Sequence, residues 1–185
     1  MKFSLPLCLA ALASTVFSVE FELTDMEKIK GGYEAIARRI PAWVEAVERV
    51  SPDLTFLGAH TASLEEAIND TIAYVKDARP LTMRETQIIF RAMDDVQDEG
   101  RKVAKKIVKM RDRVSELKLC GFVRGRIHFL QHWLRYCIAR TVEKFPEQAK
   151  GVGGMIQRTT NMMMDDWQAT YTLKNCYQKK WEIAG

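Results

Sequence analysis

The chain has 185 residues, of which 47% are hydrophobic and 28% charged, with a formal net charge of +4. That length suits one domain with a real core, and interspersed charges of both signs describe a soluble, mildly basic surface. Four cysteines, one of them at position 8 in the leading segment, exclude a fold built chiefly from disulfides.

The first residues read as a secretory signal peptide. Lys2 precedes an apolar and small-residue run over 5–13, which is too short to span a bilayer, and no second hydrophobic run follows it. A cut after Ser18 places the mature start at Val19, and a cut after Ala13 is the alternative. Removal of residues 1–18, which carry one charge at Lys2, leaves 167 residues at +3 as a single helical-bundle domain over 19–185.

Apolar steps of three and four predict helices throughout, and nothing alternates as a strand would. The first helix follows the capping box Thr24 to Glu27 and carries Met26, Ile29, Tyr33, Ile36, Ile40, Val44 and Val47 before Ser51 and Pro52 stop it. Gly31, Gly32 and Pro41 are expected to bend or fray it. The second carries Leu64, Ile68, Ile72 and Val75 after a cap-like Ser63 to Glu66, preceded by a short helical turn around Leu54 to Leu57, and ends near Pro80. Thr82 and Glu85 form another capping box, after which Ile89, Met93, Val96, Val103, Ile107, Met110 and Val114 extend a long third helix over about 83–118. At ~1.5 Å per residue it reaches ~50 Å, so its neighbours must be long or joined end to end. Gly121 is expected to close it. A fourth helix follows over 123–145, stopped by Pro146, and a fifth runs from Glu147 through Val152, Met155, Ile156, Met163 and Trp167. About five helices joined by short loops predict an all-α antiparallel bundle.

In layout the sequence resembles the fungal hydrophobic surface-binding protein A and cell-wall galactomannoprotein family. The likeness rests on Leu81-Thr82 before a long Lys-rich helix, Gly121-Phe122-Val123, the segment Glu143 to Glu147, and a last helix ending Asp166-Trp167 through Tyr171. It implies a secreted helical protein that associates with hydrophobic surfaces, the cell wall or lipids, some relatives enclosing fatty acids between helices. The chain is more basic and richer in Met than that family leads one to expect. It has no Ser/Thr-rich stalk, and Trp181 to Gly185 is no hydrophobic anchor signal.

Three apolar stripes are expected to face one interior and to line a lipid site: Ile89, Met93 and Val96; Leu130 and Leu134; Met155, Ile156 and Met163. Long aliphatic chains suit such a lining, because burying each methylene contributes ~0.8 kcal/mol without directional chemistry. Gly100 and the 151–154 glycine cluster are expected to leave room, and flexible Met side chains to adapt to the ligand.

No nucleophile elbow, phosphate loop or catalytic dyad spacing appears, so no enzyme and no cofactor are expected. His128 and His132 stand one helical turn apart, but Phe129 fills the place where a zinc protease carries its Glu, and the pair reads as structural or surface histidines. The basic strip from Arg101 to Arg113 reads as a solvated helix face. An anionic membrane surface is the functional reading beside it, and without interleaved aromatic residues nucleic acid is not expected. Asn69 opens the only sequon and is a candidate glycosylation site. If the chain reverses at Pro146, Cys120 falls level with residue 172, ~6 Å of rise from Cys176, whereas Cys137 lies ~30 Å away. The bridge is therefore expected between Cys120 and Cys176, with Cys137 a buried free thiol. The partner implied is a fatty acid or other amphipathic molecule at the cell wall or a membrane. A secreted effector or interaction protein without a pocket is the second reading.

Overall fold

A computed structural model describes residues 23–51 and 53–176. The expected signal peptide over 1–18, Pro52 and the segment after Cys176 lie outside the described residues. Five helices make up the fold: α1 (Asp25–Glu48), α2 (Thr55–Asp77), α3 (Met83–Glu116), α4 (Cys120–Glu143) and α5 (Glu147–Thr170), with no strand among the described residues.

Both predicted capping boxes are formed. Thr24 and Thr82 each accept from the N3 backbone, and Glu27 and Glu85 return the bond to the cap. At the second box the Arg79 guanidinium, together with the Thr82 donors, lowers the Glu85 carboxyl to about 2. Pro41 lies inside α1, and the helix runs on without a break.

Two helix boundaries differ from the sequence reading. Helix α2 begins eight residues before Ser63, because Leu57 and Thr61 continue the stripe of Leu64 and Ile68. Its N-cap Leu54 offers no side-chain bond, and the carboxylate of Asp53 just before it accepts from the Thr55 amide at 3.0 Å. Ser63 instead accepts from Arg39 Nε at 2.9 Å, tying α2 to α1. At the end of α3, Lys118 takes the left-handed conformation (φ 60°) expected of a glycine. The Lys118 and Leu119 amides bond back to Ser115 and Val114, a Schellman closure, while Gly121 sits in the first turn of α4.

The helices close into a ring in the order α1, α2, α4, α5, α3. Chain-order neighbours run in opposite directions, but the ring places α1 beside α3, α3 beside α5 and α2 beside α4, and these pairs are parallel. Lys106 near the upper half of α3 reaches Glu48 at the upper end of α1 (3.5 Å), while Asp25 at the lower end of α1 accepts from the Arg79 amide just before α3. The short loops therefore cross the open ends of the ring and seal them. Below, Ala78, Leu81 and Phe145 are buried, and the Leu81 amide donates to the Lys144 carbonyl. Above, the projecting end of α3 is covered by Val50 and by the segment after α5. Arg113 bonds to the Val50 carbonyl and Tyr171 Oη donates to the Ile107 carbonyl. The bond between Cys120 and Cys176, Cα atoms 5.7 Å apart, ties that segment to the start of α4.

Candidate functional site

The interior of the ring is the one apolar region that every helix contributes to. Ile89, Met93, Val96, Leu130, Leu134 and Met163 are all buried there. Ile156 is half-buried against the same core. Met155 is not part of it: its side chain is 60% exposed. On α5 the inward face is set by Gly153, Thr160, Met163, Met164 and Trp167, and Met155 falls on the opposite side.

The expected underfilling is corrected at Gly100 and Gly153, while nothing stands within 4 Å of a Cβ at Gly151 or Gly154. A side chain at Gly100 would collide with Sδ and Cε of Met163, so the thioether tip occupies that gap. Gly153 is closely approached by Val142 and Phe145. The lower ring is spanned by polar contacts. Tyr33 of α1 shares a 2.6 Å hydrogen bond with Thr141 of α4, and Thr141 also donates to the Cys137 carbonyl. Cys137 is a buried free thiol whose pKa burial pushes up to about 12, so it holds no reactive thiolate.

Higher in the ring, Trp43 and Trp167 stack nearly parallel with centroids 6.4 Å apart. Trp43 Nε1 donates to Thr61 Oγ1 at 3.1 Å. Trp167 Nε1, fully buried, has no partner among the described residues. The sequence reading puts Trp167 on the fifth stripe but misses Trp43, although Trp43 lies three residues past Ile40 and four before Val47.

The outer surface carries grooves with charged linings. One of about 280 Å³ runs between α1 and α2 past Glu27, Lys28, Arg39 and Asp70. Another of about 290 Å³ lies between α2 and α4 by Lys76, Tyr136, Arg140 and Lys144. On α4 an aromatic stripe was also missed. Phe129, Trp133 and Tyr136 meet edge to face or tilted, flanked by Arg126 against Phe122 and Arg140 against Tyr136. The spacing 122, 126, 129, 133, 136, 140 was the available signal. His128 and His132 are exposed, and His132 stands edge-on to Trp133. On α3 much of the basic strip is paired: Arg101 with Asp98, Lys102 with Glu99 and Lys106 with Glu48. Asn69 is exposed on α2. No group of three metal-ligating side chains occurs among the described residues, and no helix there is long and apolar enough to cross a membrane.

This architecture, a closed ring of five helices around an apolar centre, is one that solved lipid-bound proteins also adopt. Ligand-binding domain 1 of the Penicillium marneffei MP1 protein, complexed with arachidonic acids, superposes with a TM-score of 0.73 at 11% identity, over 80% of this chain and 99% of that one. Domain 2 of the same protein, complexed with multiple arachidonic acids, gives 0.73 at 12% identity, over 82% and 98%. AFMP4P in complex with palmitic acid gives 0.73 at 14% identity, over 80% and 99%. At these identities the likeness establishes a shared fold. No protein-family model matches the sequence, and no curated protein matches it.

Proposed function

We propose that this protein is an exported carrier of long-chain fatty acids or related amphipathic molecules, which it takes into the interior of the helix ring. The observation that carries the reading is the shared fold with proteins whose structures hold arachidonic or palmitic acid. The lining supports it: Ile89, Met93, Val96, Leu130, Leu134 and Met163 surround the ring centre and present no charged group to it. Because Met163 fills the gap at Gly100, binding there requires that side chain to move, which thioethers do at low cost. Export rests on the leading Lys2 and the apolar run over 5–13, and a role at the cell wall rests on the family resemblance.

Titration of the mature protein with palmitate tests the reading. Saturable binding with a micromolar or lower Kd is expected, accompanied by a thermal shift equivalent to ~2.7 kcal/mol at a hundredfold excess over Kd. Absence of saturable binding across a series of fatty acids and their methyl esters rejects the carrier reading. It would leave the second one, an interaction protein without a pocket, which the exposed aromatic stripe of α4 favours. That protein would bind no free lipid and lose its partner when Phe129 and Tyr136 are replaced.

A further inference from the structure

Three features converge on one place inside the ring. Gly100 of α3 leaves a gap, and the end of the Met163 side chain fills it. One turn on, the ring of Trp167 also abuts Gly100, 3.5 Å from where a Cβ would stand. The indole N–H of Trp167 is buried without an acceptor, whereas that of its stacked neighbour Trp43 is bonded to Thr61. A buried donor left unpaired is costly, and native interiors seldom leave one so. Here it lies beside a gap occupied by one of the most mobile apolar side chains a core can use.

The geometry points to a latent ligand subsite in which Met163 withdraws from Gly100 and Trp167 Nε1 donates to the oxygen of a neutral acyl end. The lining decides the chemical class. The unpaired Trp167 N–H is a single donor, and Met163, Trp43 and Gly100 beside it bring no cation. An ionised carboxylate buried there would pay far more in desolvation than one indole bond returns, while an ester carbonyl needs only one donor. The subsite therefore prefers a neutral long-chain acyl ester over the carboxylate of the same length. This inference rests on the carrier reading and names which end of the ligand the ring receives.

The test compares methyl palmitate with hexadecane, delivered from cyclodextrin, on the mature protein and on Trp167→Phe. The native protein is expected to bind the ester about tenfold tighter than the alkane. Trp167→Phe is expected to erase that margin, so that the variant binds ester and alkane with equal affinity. On the unsubstituted protein, the Trp167 indole N–H resonance is expected to move downfield with ester and not with alkane, a readout that stands even where the variant folds poorly. Ester binding with an unmoved indole resonance, or an equal loss of both ligands in the variant, overturns the subsite and leaves the carrier reading intact. A native protein that binds neither ester, alkane nor palmitate overturns both.

Discussion

The lower and upper halves of the ring are built by the same five helices, yet they treat polar groups and space differently. Below, Tyr33, Thr141 and Cys137 bond to one another across the ring, and Gly32 of α1 lets the short, branched Thr71 of α2 press against its backbone. Thr71 has nowhere to go, because its hydroxyl donates to the Ala67 carbonyl at 2.6 Å and its side chain is wholly buried. Above, the gap at Gly100 is filled by a flexible Met tip, and one indole donor of a stacked pair is unpaired. Rigid packing fixes the ring at one end, and the adaptable packing at the other is where the proposed ligand would be admitted.

The covalent tie tests this contrast most strongly. The Cys120–Cys176 bond closes a loop of 56 residues at the upper end of the ring. Replacing both cysteines by Ser is expected to cost about 4 kcal/mol in denaturant unfolding, and native-state hydrogen exchange should rise first in the upper turns of α3 and α4. Uniform exchange along the ring would deny that the upper half is the looser one. Next come paired glycine substitutions. Gly32→Ala drives a methyl into Thr71 and is expected to destabilise by about 1–3 kcal/mol, whereas Gly100→Ala meets only the end of Met163 and is expected to cost less than about 1 kcal/mol. Equal costs would remove the distinction.

Smaller is the difference between the two stacked indoles. Trp43→Phe and Trp167→Phe remove the same volume, but only the first breaks a hydrogen bond, so it is expected to be more destabilising by about 1 kcal/mol in chemical denaturation. The smallest effect sits at the lower rim. Since the folded Glu85 carboxyl lies at about 2 against an ordinary 4.5, its stabilisation is complete above about pH 4.5 and is lost as pH falls towards 2. Glu85→Gln is expected to lower Tm slightly at pH 7, and the gap should close on acidification through that window.

Much of the fold was legible because its determinants are local. The capping boxes at Thr24 and Thr82, the apolar stripes and the residue count about Pro146 need only helix geometry. Ser63 and Gly121 misled because their residue types are right for a cap while the apolar stripe of α2 and a left-handed Lys118 decided the boundaries. The candidate site was legible only in part. Periodicity put Ile89, Met93 and Leu134 inside, but it did not exclude Met155, whose stripe was read one face too broadly. The Gly100 and Met163 fit and the unpaired Trp167 donor depend on which helices meet. The ring order, with its parallel neighbours, is set by loops crossing the bundle ends and leaves no periodic trace in the sequence.

Native mass spectrometry of the protein after expression from its full-length sequence tests the proposed lipid carriage most directly. The account predicts a mature chain beginning near Val19 that carries an adduct of long-chain acyl mass, or acquires one on incubation with palmitate or its methyl ester, and sheds it on denaturation. A bare polypeptide mass under all of these conditions would contradict it.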